Sequence, residues 1–244
     1  MADSKPSLYT CLSPALLHLY DLSESSVVII DVLRATSTIA TALHNGAQSV
    51  VPVSTVPRCI ELGLELGGVT AGERDGKVAD GLEYGNSPFE YPPSFIRDRI
   101  LVLTTTNGTK LLHMALDNNA EEIITGSFPN LGAVCRHLLE RNRPVLLGCA
   151  AWKDRINMED TLFAGAVIDK IGHAFHINCD SSHFALNLYR KAQKDLFGFM
   201  RDNNASHYHR LMGYGLEKDI RFCLEADGAN VLPLFRGDRL VRKN

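Results

Sequence analysis

Short apolar, β-branched runs alternate with amphipathic stretches along this chain, the pattern of strands joined by helices that cross back over a mainly parallel sheet. Val27 to Ile30 reads as a buried strand, because a continuous β-branched run leaves neither face for water. Ala35 to Asn45 follows as a helix ended by Gly46, and Ser49 to Val53 as the next strand. Pro57 to Leu66 is helical by its apolar spacing, with proline in the first turn and Gly67-Gly68 at the stop. Further strands are expected at Val69 to Gly72, Ile100 to Thr104, Glu122 to Thr125 and Val145 to Cys149. Further helices are expected at Gly108 to Leu116, Leu131 to Arg141, Thr161 to Ile171 and, longer, His183 to Phe199. The fold class is therefore α/β, a three-layer α/β/α arrangement on a mainly parallel or mixed sheet, with room for two intimate subdomains.

Glu73 to Pro93 breaks the pattern. Glycine and proline recur there without usable periodicity, so one long loop is expected, of the kind that is usually functional or disordered in a compact domain. Neither a linker nor an internal repeat divides the chain, so 1–244 reads as a single domain with a lead-in over 1–24 and a C-terminal tail over 237–244. Arg236, Arg239, Arg242 and Lys243 are expected as solvated charges at this C-terminal end.

Composition narrows the function by exclusion. The net charge of −3, from 25 basic against 28 acidic residues, supplies no general field for nucleic acid, so any affinity for an anion must be local. No apolar run is long enough to span a membrane and the first residues do not read as a secretory leader, which gives the expectation of a cytoplasmic protein. The six cysteines stand singly, without C-x-x-C spacing, and are expected as small buried residues rather than zinc ligands or disulfides. A homo-oligomer is compatible with all of this.

Four segments at expected strand ends carry the candidate chemistry. In Asp31-Val-Leu-Arg34-Ala-Thr36-Ser37-Thr38, a carboxylate that can hold a hard cation precedes an arginine and hydroxyls at a helix start that can hold phosphate. The same letters also serve as ordinary helix caps. Thr104-Thr105-Thr106-Asn107-Gly108-Thr109-Lys110 places hydroxyls, an amide and a tight-turning glycine before a helix, as an oxyanion cradle requires or as a capping turn would. In the long loop, Glu73 could act as metal ligand or general base and Arg74 as a clamp for sulfonate or phosphate, with Asn86 and Ser87 further along as substrate-binding candidates. Trp152 to Thr161 brings the adjacent acids Glu159 and Asp160, which suit a divalent cation but also a helix N-terminus. Trp152 is expected to pack rather than to carry substrate, and His207-Tyr208-His209 alternates as a strand would.

Taken together, DVLRATST, GERDG…GLEYGNSP, TTTNGT and MEDTLFAG, with the segment Gly215 to Cys223 and Val231-Leu-Pro233, resemble the 2-phosphosulfolactate phosphatase family over roughly residues 25 to 236. The resemblance implies a magnesium-dependent phosphatase that cleaves 2-phosphosulfolactate to sulfolactate and phosphate, a step toward coenzyme M. Asp31, Arg34, Glu73, Arg74, Asn107, Thr109, Glu159 and Asp160 match the family's polar positions. One departure from haloacid-dehalogenase-type phosphatases is that Leu33, not an acid, stands two residues after Asp31. The expected assignments are Asp31, Arg34 and Glu73 in catalysis, and Thr36, Ser37, Arg74, Asn86, Ser87, Asn107, Gly108 and Thr109 on phosphate or substrate. Mg²⁺ is expected on Asp31 with Glu159 or Asp160. Two rivals stay open, an isochorismatase-like cysteine hydrolase using Asp31, Lys110 and Cys149, and a non-catalytic binder of small phosphorylated acids.

Overall fold

A computed structural model describes residues 5–74, 77–105 and 107–243. Thr106 of the cradle segment and Asp75 and Gly76 of the long loop lie outside the described residues. In chain order the elements are β1 (Leu8–Cys11), β2 (Ser26–Ile30), α1 (Ala35–His44), β3 (Ser49–Val53), α2 (Val56–Leu66), β4 (Val69–Arg74) and β5 (Lys77–Val78). Next come α3 (Pro93–Ile96), β6 (Ile100–Thr104), α4 (Gly108–Asp117), β7 (Glu122–Gly126), α5 (Leu131–Arg141), β8 (Val145–Cys149) and α6 (Met158–Ile171). The chain closes with α7 (Asp180–Ala192), α8 (Leu196–Asp202), α9 (Ser206–Gly213), α10 (Glu217–Leu224), β9 (Pro233–Arg236) and β10 (Arg239–Arg242).

The strands form one sheet in the order β1-β8-β2-β7-β9-β10-β3-β6-β4-β5. β1, β8, β2 and β7 are parallel to one another, as are β3, β6 and β4. Along β2, Val28 and Ile30 face a core shared with α5 and α6, while Val27 and Ile29 face a second core shared with α4. That alternation puts helices on both faces and makes the three layers.

The two parallel halves exchange helices. α1 leaves β2 in the first half, yet its Ile39, Ala40 and Leu43 pack with Val50, Leu101 and Leu103 of the second. α4 leaves β6 in the second half, yet Leu111, Leu112 and Ala115 pack on Val27, Ile29 and Leu146 of the first. Each half therefore covers its partner, which brings the helix starts after β2 and β6 together.

Three expectations are corrected. The C-terminal segment is not a solvated tail: β9 and β10 form a hairpin, turned at Gly237, that joins the two halves through the pairs Leu234 with Ile124 and Leu240 with Val50. Its charges hid it, because a four-residue strand flanked by arginines shows no apolar period. Arg242 donates to the carbonyls of Leu43 and His44, where the end of α1 leaves acceptors unpaired. The long loop is also more ordered than expected. β4 runs on to Arg74 and turns back as β5, and Ser87 and Glu90 form a reciprocal cap on a short 3-10 turn. Finally, the helix expected from His183 to Phe199 is broken between α7 and α8, where Asp195 caps the second helix by accepting from the Gly198 N–H. Among the described residues no helix is long and apolar enough to cross a membrane.

Candidate active site

The strand ends of β2, β4, β6 and β8 meet at a cavity of about 270 Å³, whose wall includes Asp31, Arg34, Glu73, Arg74, Asn86 and Asn107. Trp152 and Lys153 join it from the loop after β8, and His207, Arg210, Leu211 and Tyr214 from α9 and the residue that ends it. Crevices beyond strand C-termini are where open α/β sheets bind ligands, so the place is as expected.

Asp31 follows β2 and stands against the start of α4. A Cβ at Gly108 would lie 3.0 Å from Asp31 Oδ2, so any larger residue there would push on the Asp31 carboxylate. Enclosure by protein pushes the Asp31 carboxyl up to about 6; the His207 ring opposes that rise, the Glu159 and Glu73 charges add to it, and the Gly108 N–H partly offsets it.

Behind the wall, Glu159 and Asp160 open α6 and are each 1% exposed. Glu159 Oε1 is 2.5 Å from His207 Nδ1, which leaves the ring's Nε2 for the cavity. Asp160 Oδ1 accepts from the Val32 N–H at 2.9 Å and so holds the turn that carries Asp31. Glu159 Oε2 and Asp160 Oδ2 have no hydrogen-bond partner among the described residues. Burial, reinforced by the Glu159 and Asp31 charges, raises the Asp160 carboxyl well above the ordinary carboxylate range.

A family profile described as 2-phosphosulpholactate phosphatase matches residues 11–238. The chain belongs to this family. A protein named probable 2-phosphosulfolactate phosphatase from Caldanaerobacter subterraneus is 37% identical over 217 residues, spanning 87% of this chain and 88% of that one. One of the same name from Thermotoga maritima is 38% identical over 208 residues, 85% of this chain and 88% of its own. Another, from Synechococcus sp., is 38% identical over 213 residues, 84% and 86% respectively.

The 2-phosphosulpholactate phosphatase resemblance seen in the letters is thus established at the family level, while the residue roles are redistributed by the geometry. Asp31, Arg34, Glu73, Arg74, Asn86 and Asn107 do converge. Arg34 is 5% exposed and bound through Nη1 to Asp219 at 2.6 Å, a fixed charge rather than a mobile finger. Arg74 donates to the Glu73 carbonyl at 2.6 Å, and Asn86 Oδ1 is buried with no hydrogen-bond partner among the described residues.

Several expected phosphate ligands are turned away. The Thr36 hydroxyl accepts from the Asp31 N–H and Ser37 donates to the Val32 carbonyl, so both shape the turn instead of facing the cavity. Ser87 is occupied in its cap, and the Thr109 hydroxyl donates to the Thr105 carbonyl one turn back. It is Thr105 that reaches the wall. Short hydroxyl side chains at helix starts compete for nearby backbone groups, and here the backbone wins. Glu159 and Asp160, expected as metal ligands, lie behind the wall rather than on it.

The cysteine-hydrolase arrangement does not form. Cys149 is fully buried, and that burial, with Asp160 nearby, raises its thiol well above the ordinary value. Lys110 is exposed and paired with Asp154 at 2.7 Å. Conversely, the reading of residues 207 to 209 as strand-like missed a helix. His207, Arg210, Leu211 and Tyr214 stand at spacings of three, four and seven, one face of a helix, and that period was legible in the letters.

Proposed function

We propose that the protein hydrolyses the phosphate ester of 2-phosphosulfolactate or a closely related small phosphorylated acid. The observation that carries this reading is the meeting, in one cavity, of an enclosed carboxylate at Asp31, the N-terminus of α4 and several cationic side chains. Membership of a family whose relatives bear that activity's name supports it.

The phosphoryl group would sit against the α4 start, where the Asn107 amide and the positive end of the helix face its oxygens. Arg34, immobilised by Asp219, adds a positive charge whose position needs no rearrangement during reaction. The departing alkoxide needs a proton, and Leu33 cannot supply one. His207, steadied through Nδ1 by Glu159, turns Nε2 toward the cavity and is placed to do so.

Magnesium belongs to the same proposal. The Asp31 carboxyl is crowded by the Glu159 and Glu73 charges, a negative centre suited to a divalent cation. Among the described residues no three His, Cys, Asp or Glu side chains are arranged as a ready-made metal cage. Mg²⁺ commonly takes one or two carboxylates and completes its shell with water and phosphate oxygens. Asp31 and Glu73, the acids on the wall, would hold it, and bound there it would neutralise phosphoryl charge.

Release of inorganic phosphate from 2-phosphosulfolactate tests the reading directly. Turnover is expected with Mg²⁺ and is expected to stop when a chelator is added. No turnover at any Mg²⁺ concentration would overturn it, and turnover indifferent to chelator would remove the metal from it.

A further inference from the structure

Trp152 was expected to pack, yet it belongs to none of the apolar core clusters. Its ring carries cations instead: the Arg210 guanidinium lies 4.1 Å from the centroid and the Lys153 ammonium 4.8 Å. Neither cation makes an ion pair with a carboxylate among the described residues, whereas Arg34 and Lys110 nearby both do. Two uncompensated cations against one aromatic ring, on the wall of a cavity, are a place prepared for an anion.

The loop that presents Trp152 is built for that position. Ala151, Lys153 and Asp154 have φ of 58°, 51° and 61°, which residues with side chains adopt reluctantly. The loop holds them by a reciprocal backbone pair between Trp152 and Arg155, the Asp154 to Lys110 ion pair, and the Ser13 hydroxyl on the Asp154 carbonyl. On the other side, Arg210 comes from α9, the helix that also supplies His207, so this shelf and the cavity floor are set by the same rigid element.

We infer that Arg210, laid on the Trp152 ring beside Lys153, is the subsite for the sulfonate of the substrate. The inference rests on the proposed function and deepens it. A sulfonate spreads a single charge over three oxygens and is weakly hydrated, and a guanidinium stacked on an indole is likewise weakly hydrated, flat and fixed in plane. The phosphoryl group, with more charge and a stronger demand for hydrogen bonds, goes to the donors at the α4 start. Arg74 is left for the carboxylate, in place of the sulfonate or phosphate expected of it. Of these residues Arg34 is buried, Asp31, Trp152 and Arg210 are half-buried, and Lys153 is exposed.

Two substrates and one product test it. With Arg210→Ala, kcat/KM for 2-phosphosulfolactate should fall roughly 10- to 100-fold, mainly through KM, as for the loss of one charge-assisted contact. The loss on 2-phospholactate, in which hydrogen replaces the sulfonate, should be at least about tenfold smaller. Arg210→Lys should recover only part, because an ammonium does not keep the stacked plane, and Trp152→Leu should weaken the same discrimination. Equal losses on both substrates, or none on 2-phosphosulfolactate, would overturn the subsite. Equilibrium binding of sulfolactate to wild-type and Arg210→Ala protein separates this from the activity itself. If the wild type turns over neither ester but binds sulfolactate through Arg210, the phosphatase reading fails and the subsite stands. If the wild type does not bind sulfolactate, the subsite fails.

Discussion

Two buried acid and histidine pairs sit near opposite ends of the same strands, and they are treated oppositely. Where β7 begins, Glu122 meets His137 Nε2 at 2.8 Å and the Ser26 hydroxyl at 2.8 Å, with Arg141 at 3.4 Å. Burial alone would raise its carboxyl, but those hydrogen bonds and charges pull it down to about 2. Beyond the end of β2, Glu159 meets His207, yet one oxygen on each of Glu159 and Asp160 is left without a hydrogen bond, and Asp31 is pushed up to about 6. The first pair is satisfied and holds the fold. The second holds unfavourable charge for a ligand to relieve, which is what marks a site rather than a strut.

The comparison breaks most sharply at Asp31. Asp31→Asn keeps shape and removes the charge, so phosphate release should fall by about a thousandfold or more with an unchanged circular dichroism spectrum. Residual activity above about a tenth of wild type would remove Asp31 from the centre of the reaction. The same variant should be more stable than wild type in chelator at pH 7.5. The folded protein holds this proton more tightly than the unfolded chain, so the cost of ionising it is absent below about 3.8 and grows as pH rises through about 6. A gain of about 1–3 kcal/mol in urea melts at pH 7.5, vanishing near pH 4, is expected.

The satisfied pair should respond in reverse. Glu122→Gln should cost on the order of 3 kcal/mol at pH 7, and phosphate release per folded molecule should stay within about twofold. Because the folded Glu122 is depressed to about 2, its contribution is whole above about 4.5 and disappears as pH falls through about 2. Wild type and variant should therefore converge in urea melts as the pH approaches 2, and a constant gap down to that pH would refute the assignment.

His207→Ala bridges the two behaviours. It leaves Glu159 buried without its partner, so it should lose about 2–4 kcal/mol of stability as well as activity, whereas a purely structural histidine would lose only the first. Denaturant melts and phosphate release on the same preparation distinguish these. The smallest effect is expected from Cys149→Ser, at about 1–2 kcal/mol of stability and less than about twofold in phosphate release. Loss of all activity in a folded protein would revive the cysteine mechanism.

The amino-acid sequence by itself determined the strands and helices with strong local pattern. Ser49 to Val53, Ile100 to Thr104, Leu131 to Arg141 and Val145 to Cys149 fall on β3, β6, α5 and β8 without shift, because in each the apolar period and the flanking breakers agree. It also determined the family, and that Asp31, Glu73, Arg74 and Asn107 stand at strand ends. Only the tertiary structure decided which of the polar residues beside them face the cavity. Thr36, Ser37 and Thr109 carry the right chemistry, yet the carbonyl or N–H each one meets lies on its own turn, and a nearby backbone partner outcompetes a ligand. The helical period of His207, Arg210 and Leu211 is local and legible, but that α9 and the loop carrying Trp152 meet at the same cavity is a distant juxtaposition that no local period contains. The C-terminal hairpin makes the same point: its placement between β7 and β3 depends on two open sheet edges made elsewhere in the chain, which no reading of its own polar letters contains.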